Sequence, residues 1–148
     1  MAGRSDRPPG DPAEVRSIAV RTADVVTALE LCLRSPDRTV LRLTPPYAPR
    51  MRARLHRPEA GEYDERPDGP RPTHVDPESL VAAVPPYPEP DETARDLRER
   101  GEYSTEAHHE RHRAAVATWR DEVACRLVDD VVLETPDGPH RVSVTRLG

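Results

Sequence analysis

The chain has 148 residues, 27 acidic and 22 basic side chains and no lysine, so its net charge of −5 is built entirely against arginine. Hydrophobic residues make up 35% and Phe is absent; a core this lean must draw its buried area from Val, Leu and Ala at roughly 25 cal/mol per Å², and one domain is expected. The lack of any run of about 18 apolar residues excludes a membrane-spanning helix, the polar, proline-broken head holds no signal-peptide h-region, so an unexported protein is expected, and two distant cysteines, Cys32 and Cys125, exclude a CxxC redox pair or zinc knuckle.

These bounds lead to the expectation of a cytoplasmic protein with reduced thiols and no membrane partner. Residues 1–14, interrupted by Pro8, Pro9 and Pro12, are expected to form a disordered head. Val15 to Val20 reads as a short strand. Thr22 is placed to cap a helix whose first turn holds Asp24, and Val25, Val26, Leu29 and Leu33 recur at helical spacing up to Arg34.

Thr39 to Thr44 is β-branched and apolar, and Met51 to Arg57 alternates strictly, so the two predict a hairpin across the stiff Pro45-Pro46-Tyr47-Ala48-Pro49 connection. Alternation directs Met51, Ala53 and Leu55 to the core; Arg52, Arg54 and Arg42 then face outward together. Residues 58–72 read as a Pro-rich acidic linker. His74 and Val75 extend a strand, Asp76-Pro77-Glu78 predicts a short helix to Val84, and VPPYPEPDE predicts an extended, polyproline-like run. Asp91 to Arg100 predicts a charged helix closed by Gly101.

Ser104 then caps the longest helix, which the pattern carries to Leu127, and Val131–Leu133 and His140–Leu147 form two strands about a turn containing Gly138. The order predicts a single α+β domain over 15–148: a mostly antiparallel sheet of about five strands, with one long helix and two or three shorter helices packed on it.

The long helix carries His108, His109 and His112, and a metalloprotease reading requires a glutamate beside the first ligand. Glu110 instead lies about 200° around the helix from both His108 and His112 at about 100° per residue. With His112 as origin, Val116 falls at about +40°, Trp119 at about −20°, Val123 at about +20°, Leu127 at about +60° and His108 at about −40°. The two histidines therefore extend a core stripe toward its rim. A metal-dependent enzyme built on His108 and His112 stays as an alternative, with zinc as its cofactor and His74, Asp76 or His140 as a third ligand. No catalytic residue is assigned, because no G-x-S-x-G elbow or Gly-rich phosphate loop occurs.

The sharper clue is charge. Residues 38–57 hold six arginines and no acid, a window of +6 that leaves −11 on the rest of a chain whose net charge is −5. Such segregation implies an anion-facing surface, and the guanidinium fork suits carboxylate or phosphate. The expectation is a non-enzymatic binding or accessory module that docks an acidic protein partner through Arg42, Arg50, Arg52, Arg54, Arg57 and Tyr47. The alternative is nucleic acid on the same hairpin, with Tyr47 stacking on a base. A competing reading pairs these arginines with the chain's own acids at Glu59–Asp68 or Glu89–Glu92. Molar salt would favour a protein partner, since six phosphate contacts lose about five decades of affinity per tenfold rise in salt, whereas abutting charges are screened least.

The segments TVLRLTPPYAPRMRARLH, AVPPYPEPDETA, EYSTEAHHERHRAAVATWR and TPDGPHRV resemble a family of small uncharacterised proteins from haloarchaea, over Val15 to Gly148. The resemblance implies a cytoplasmic, salt-adapted setting and no assigned activity.

Overall fold

A computed structural model describes residues 11–58 and 71–148. Seven strands and three α-helices are present among them: β1 (Ser17–Val20), α1 (Thr22–Arg34), β2 (Val40–Leu43), β3 (Arg50–Arg52), β4 (Arg54–His56), β5 (Thr73–Val75), α2 (Pro90–Glu99), α3 (Thr105–Ala124), β6 (Asp130–Thr135) and β7 (Gly138–Arg146). The chain divides into two compact units, Met1–Ala82 with Leu127–Gly148, and Ala83–Arg126. The α+β class holds, but the sheet is not single and not mostly antiparallel.

In the first unit, β3-β1-β7-β6 form a four-stranded sheet in which β1 runs parallel to both β3 and β7, and only β6–β7 is antiparallel. The second sheet, β4-β2-β5, is antiparallel throughout. Parallel pairing needs a crossover of a dozen or more residues, and α1 with β2 supplies it between β1 and β3.

The expected Met51–Arg57 strand is split at Ala53. Its first half joins β1 and its second half joins β2. The ladder between β2 and β4 stops at Arg42 opposite Arg54. Beyond that point Pro45, Pro46 and Pro49 have no N–H to continue it. Ala53 is fully buried at the corner, and its N–H reaches Ala19 O on β1 at 2.9 Å.

The core of this unit draws on Val15, Ile18 and Val20 around β1, Val25, Val26, Ala28 and Leu29 of α1, Leu41 and Leu43 of β2, and Val131, Leu133 and Val142 of the β6–β7 hairpin. The hairpin turns at Pro136–Asp137, and Gly138, which opens β7, has a φ of +111° that explains the glycine there. Three local expectations shift. Helix α1 is capped by Arg21, without a side-chain bond, and Thr22 is its first helical residue. Pro77–Leu80 is a single 3-10 turn that ends at Val81, which bridges to Leu127, rather than a helix to Val84. Asp11–Glu14, assigned to the disordered head, forms a 3-10 turn in which Asp11 Oδ1 accepts from Ala13 N at 2.9 Å; residues 1–10 and most of the acidic linker, 59–70, lie outside the described residues.

In the second unit, α2 ends in a Schellman motif: Glu102 N donates to Leu97 O at 2.9 Å and Gly101 N to Arg98 O at 3.1 Å, with Gly101 at φ +69°. Ser104 Oγ then accepts from Ala107 N at 3.0 Å and starts α3. Ala94 and Leu97 of α2 and Trp119 and Val123 of α3 are buried. The extended run before α2 lies on Trp119: its indole N–H donates to Pro85 O at 2.9 Å, and Tyr87 meets the ring edge-on at 4.9 Å. Helix α3 stops at Ala124. Leu127, placed on the helical stripe by periodicity, belongs instead to the first unit.

Candidate functional site

The corner at Ala53 decides how the arginine window is displayed. Side chains alternate through it, so Arg52 and Arg54 both face outward, but from two different sheets. On the three-stranded sheet, Leu41 and Leu43 are buried on one face and Arg42 lies on the other. The register places Arg42 directly opposite Arg54 on β4 and directly opposite His74 on β5. Three basic side chains thus form a transverse row, His74, Arg42, Arg54.

His56 completes this group. Its ring lies 5.6 Å from that of His74, and Arg42 Nη1 donates to His56 Nε2 at 2.9 Å. A guanidinium can only donate, so that imidazole nitrogen carries no proton in this arrangement. Neither histidine was among the expected partner-binding residues; His74 was named only as a possible third metal ligand. His56 shares the parity of Arg52 and Arg54 and so was legible as an outward residue; His74 enters only through the β2–β5 register.

On the four-stranded sheet, Arg50 and Arg52 sit on β3 beside Ser17 and Ala19 of β1. Arg50 is exposed and Arg52 half-buried, with its Nε enclosed and without a hydrogen-bond partner. Among the described residues, Arg50, Arg52, Arg54 and Arg57 have neither an ion pair nor a side-chain hydrogen bond. Other arginines do find partners: Arg38 meets Asp76 at 3.0 Å, Arg111 meets Asp96 at 2.9 Å and Arg141 meets Asp130 at 3.1 Å. The possibility that the window pairs with acids at 59–68 lies outside the described residues.

Tyr47 is corrected from an exposed tip to a buried brace. It is 8% exposed, and its hydroxyl lies 2.6 Å from Arg71 O and 2.7 Å from Thr73 Oγ1. A carbonyl only accepts, so the phenol proton goes to Arg71 and the Thr73 hydroxyl donates to Tyr47. The ring anchors the proline turn to β5 and is not presented for stacking on a base.

The histidines of α3 face α2. His108 Nε2 donates to Pro90 O at 2.9 Å, and His112 Nδ1 lies 3.4 Å from Thr93 Oγ1. Their ring centroids are 6.3 Å apart and tilted by 59°, each turned to its own partner on or beside α2. His140 Nε2 donates to Val15 O at 2.6 Å, and Asp76 is held by Arg38. Among the described residues no three His, Cys, Asp or Glu side chains are gathered to hold a metal ion. Nor is any helix of the described residues long and apolar enough to cross a membrane.

A family described as a domain of unknown function, DUF8009, matches residues 4–148. The chain belongs to that family. The match spans both compact units, so the basic corner and the α2–α3 pair lie within one DUF8009 domain. No curated protein and no solved structure matches the chain.

Proposed function

We propose that this protein is a non-enzymatic binding module of a salt-rich cytoplasm, and that it docks an acidic protein partner on Arg42, Arg50, Arg52, Arg54 and Arg57. The single observation that supports this reading is that Arg50, Arg52, Arg54 and Arg57 have no ion pair or side-chain hydrogen bond among the described residues, in a chain whose acids outnumber its bases. Each guanidinium offers a planar fork of donors suited to a carboxylate, and contacts made close up withstand salt better than a diffuse attraction does. Tyr47 contributes by holding the turn that leads into β3.

Fluorescence anisotropy of labelled acidic peptides, and separately of short RNA and DNA, tests the reading in low and in molar salt. Acidic peptide should bind in both salts and lose binding in Arg52→Glu/Arg54→Glu. Binding of nucleic acid in low salt, lost in molar salt, without binding of acidic peptide in either would replace this reading with nucleic-acid recognition by the same corner. Peptide binding unchanged in the double variant would remove the corner from the function altogether.

A further inference from the structure

The arginines sit on an edge. β3 is the terminal strand of the four-stranded sheet. Its bonds to β1 include Ser17 N to Pro49 O and Ala53 N to Ala19 O, both 2.9 Å. In a parallel ladder alternate residues turn their N–H and C=O to the same neighbour, so residues 49, 51 and 53 serve β1. The backbone groups of Arg50 and Arg52 therefore point to the open side. Among the described residues no strand pairs with that side, so an extended chain laid there meets donors and acceptors in the order a β-ladder requires.

Side chains define what that chain must carry. Beyond the corner Arg54 belongs to the other sheet; along the edge itself Arg50 and Arg52 project to one face two residues apart, about 6.6 Å along a strand. Residues of an added strand that lie opposite them come within about 5 Å on the same face. Acids at every second position would each meet one guanidinium, whereas the same acids in a block would leave half on the wrong face. The intervening position of the added strand falls beside half-buried Met51 and so favours an apolar residue.

We infer that the acidic partner is captured by β-strand addition at the Arg50–Arg52 edge, through an extended segment with acidic and apolar residues in alternation. The inference rests on the docking reading above and specifies its geometry. The occupant is a partner protein's segment because the charges are complementary: a second copy of β3 would set arginine against arginine. Two edge residues present at most four backbone bonds, so the added strand is held weakly and its charge pattern supplies the selectivity. A different use of the same residues is edge protection, in which charged side chains on a short terminal strand keep other strands away.

The test uses the full chain and four labelled peptides of one Glu/Val composition: the residues in alternation, the same residues in blocks, and the alternating peptide with N-methyl groups on every second amide in each of the two registers. The alternating peptide should bind at least about tenfold more tightly than the blocked one, and one N-methyl register should lose at least about tenfold while the other binds nearly normally. Amide resonances of Arg50 and Arg52 should shift most on titration. If the alternating peptide binds and is abolished by Arg52→Glu/Arg54→Glu, yet both N-methyl registers bind equally well, strand addition is wrong and the docking reading stands. If none of the acidic peptides binds and Arg50→Ser/Arg52→Ser raises the sedimentation coefficient, both readings fall and the arginines are guards of the edge.

Discussion

Replacing Tyr47 by Phe removes one oxygen and nothing else, and the geometry says what that oxygen does. Arg71 is exposed, so its carbonyl regains water when the phenol is lost; the net value of that bond is about 0.5–1 kcal/mol. Thr73 is 7% exposed, and its hydroxyl would be left with no acceptor in a closed space, which costs about 1–2 kcal/mol. The two together predict a loss of about 2 kcal/mol, or about 4–8 °C in Tm for a chain of this size. Urea unfolding followed by far-UV circular dichroism is the assay of choice, because the sole tryptophan lies in the Ala83–Arg126 unit and reports on the other side of the division. Adding Thr73→Val removes the orphaned hydroxyl, so the double variant should recover about 1 kcal/mol of the expected sum. A Tyr47→Phe protein within about 0.5 kcal/mol of the parent would refute the brace, and loss of peptide binding in such a protein would return Tyr47 to the contact surface.

Ser104→Ala should cost about 1 kcal/mol, read as a lower urea midpoint and reduced helical dichroism, since Ala107 N loses its cap. Trp119→Phe should cost about 2–4 kcal/mol by denaturant titration, because the buried Pro85 carbonyl loses its donor and the smaller ring leaves space against Tyr87. Gly138→Ala meets no atom within 4 Å of the new Cβ, so its cost is the φ of +111° alone, about 1–2 kcal/mol in thermal unfolding. A double-mutant cycle on Arg38 and Asp76, more than half exposed on both sides, should return no more than about 1 kcal/mol of coupling.

Local chemistry was legible in the sequence where a residue has one job. Ser104 and Gly101 mark their helix ends because a hydroxyl at the cap and a positive φ after the last turn satisfy backbone groups that nothing else reaches. Periodicity likewise placed Trp119 and Val123 on the buried face of α3. The pairing of strands was not legible in the same way. Alternation states which side chains share a face and is silent on whether a neighbour runs parallel, so the choice of β1 by both β3 and β7 depends on contacts between residues far apart in sequence. The split at Ala53 had a local cause, three prolines that cannot donate to a ladder, but its consequence, a chain passing from one sheet to the other, depends on where β1 lies. For the candidate site, the outward parity of Arg52 and Arg54 was readable, whereas burial of Tyr47 and the arrival of His74 beside Arg42 required the β2–β5 register.

What separates the basic corner from an ordinary charged surface is that it breaks rules other parts of the protein obey. Arg42 and Arg54 stand directly opposite one another, an arrangement that destabilises a sheet by a few tenths of a kcal/mol or more, and Arg52 holds an enclosed Nε with no acceptor. Exposed arginines elsewhere, such as Arg111 and Arg141, settle within reach of Asp96 and Asp130. A local conflict of this kind persists at little cost when salt screens it, since the Debye length is about 3 Å at 1 M, and it is relieved when an acid arrives beside Arg54. Stability and binding should therefore respond to salt in opposite senses at this corner: added salt raises the stability of the free protein by screening Arg54 from the like charges beside it, while it weakens capture of an acidic strand. Arg54→Ser should flatten both dependences together. A variant that flattened neither would show that the juxtaposed charges carry no energy worth relieving, and the case for an anionic partner would lose its physical basis.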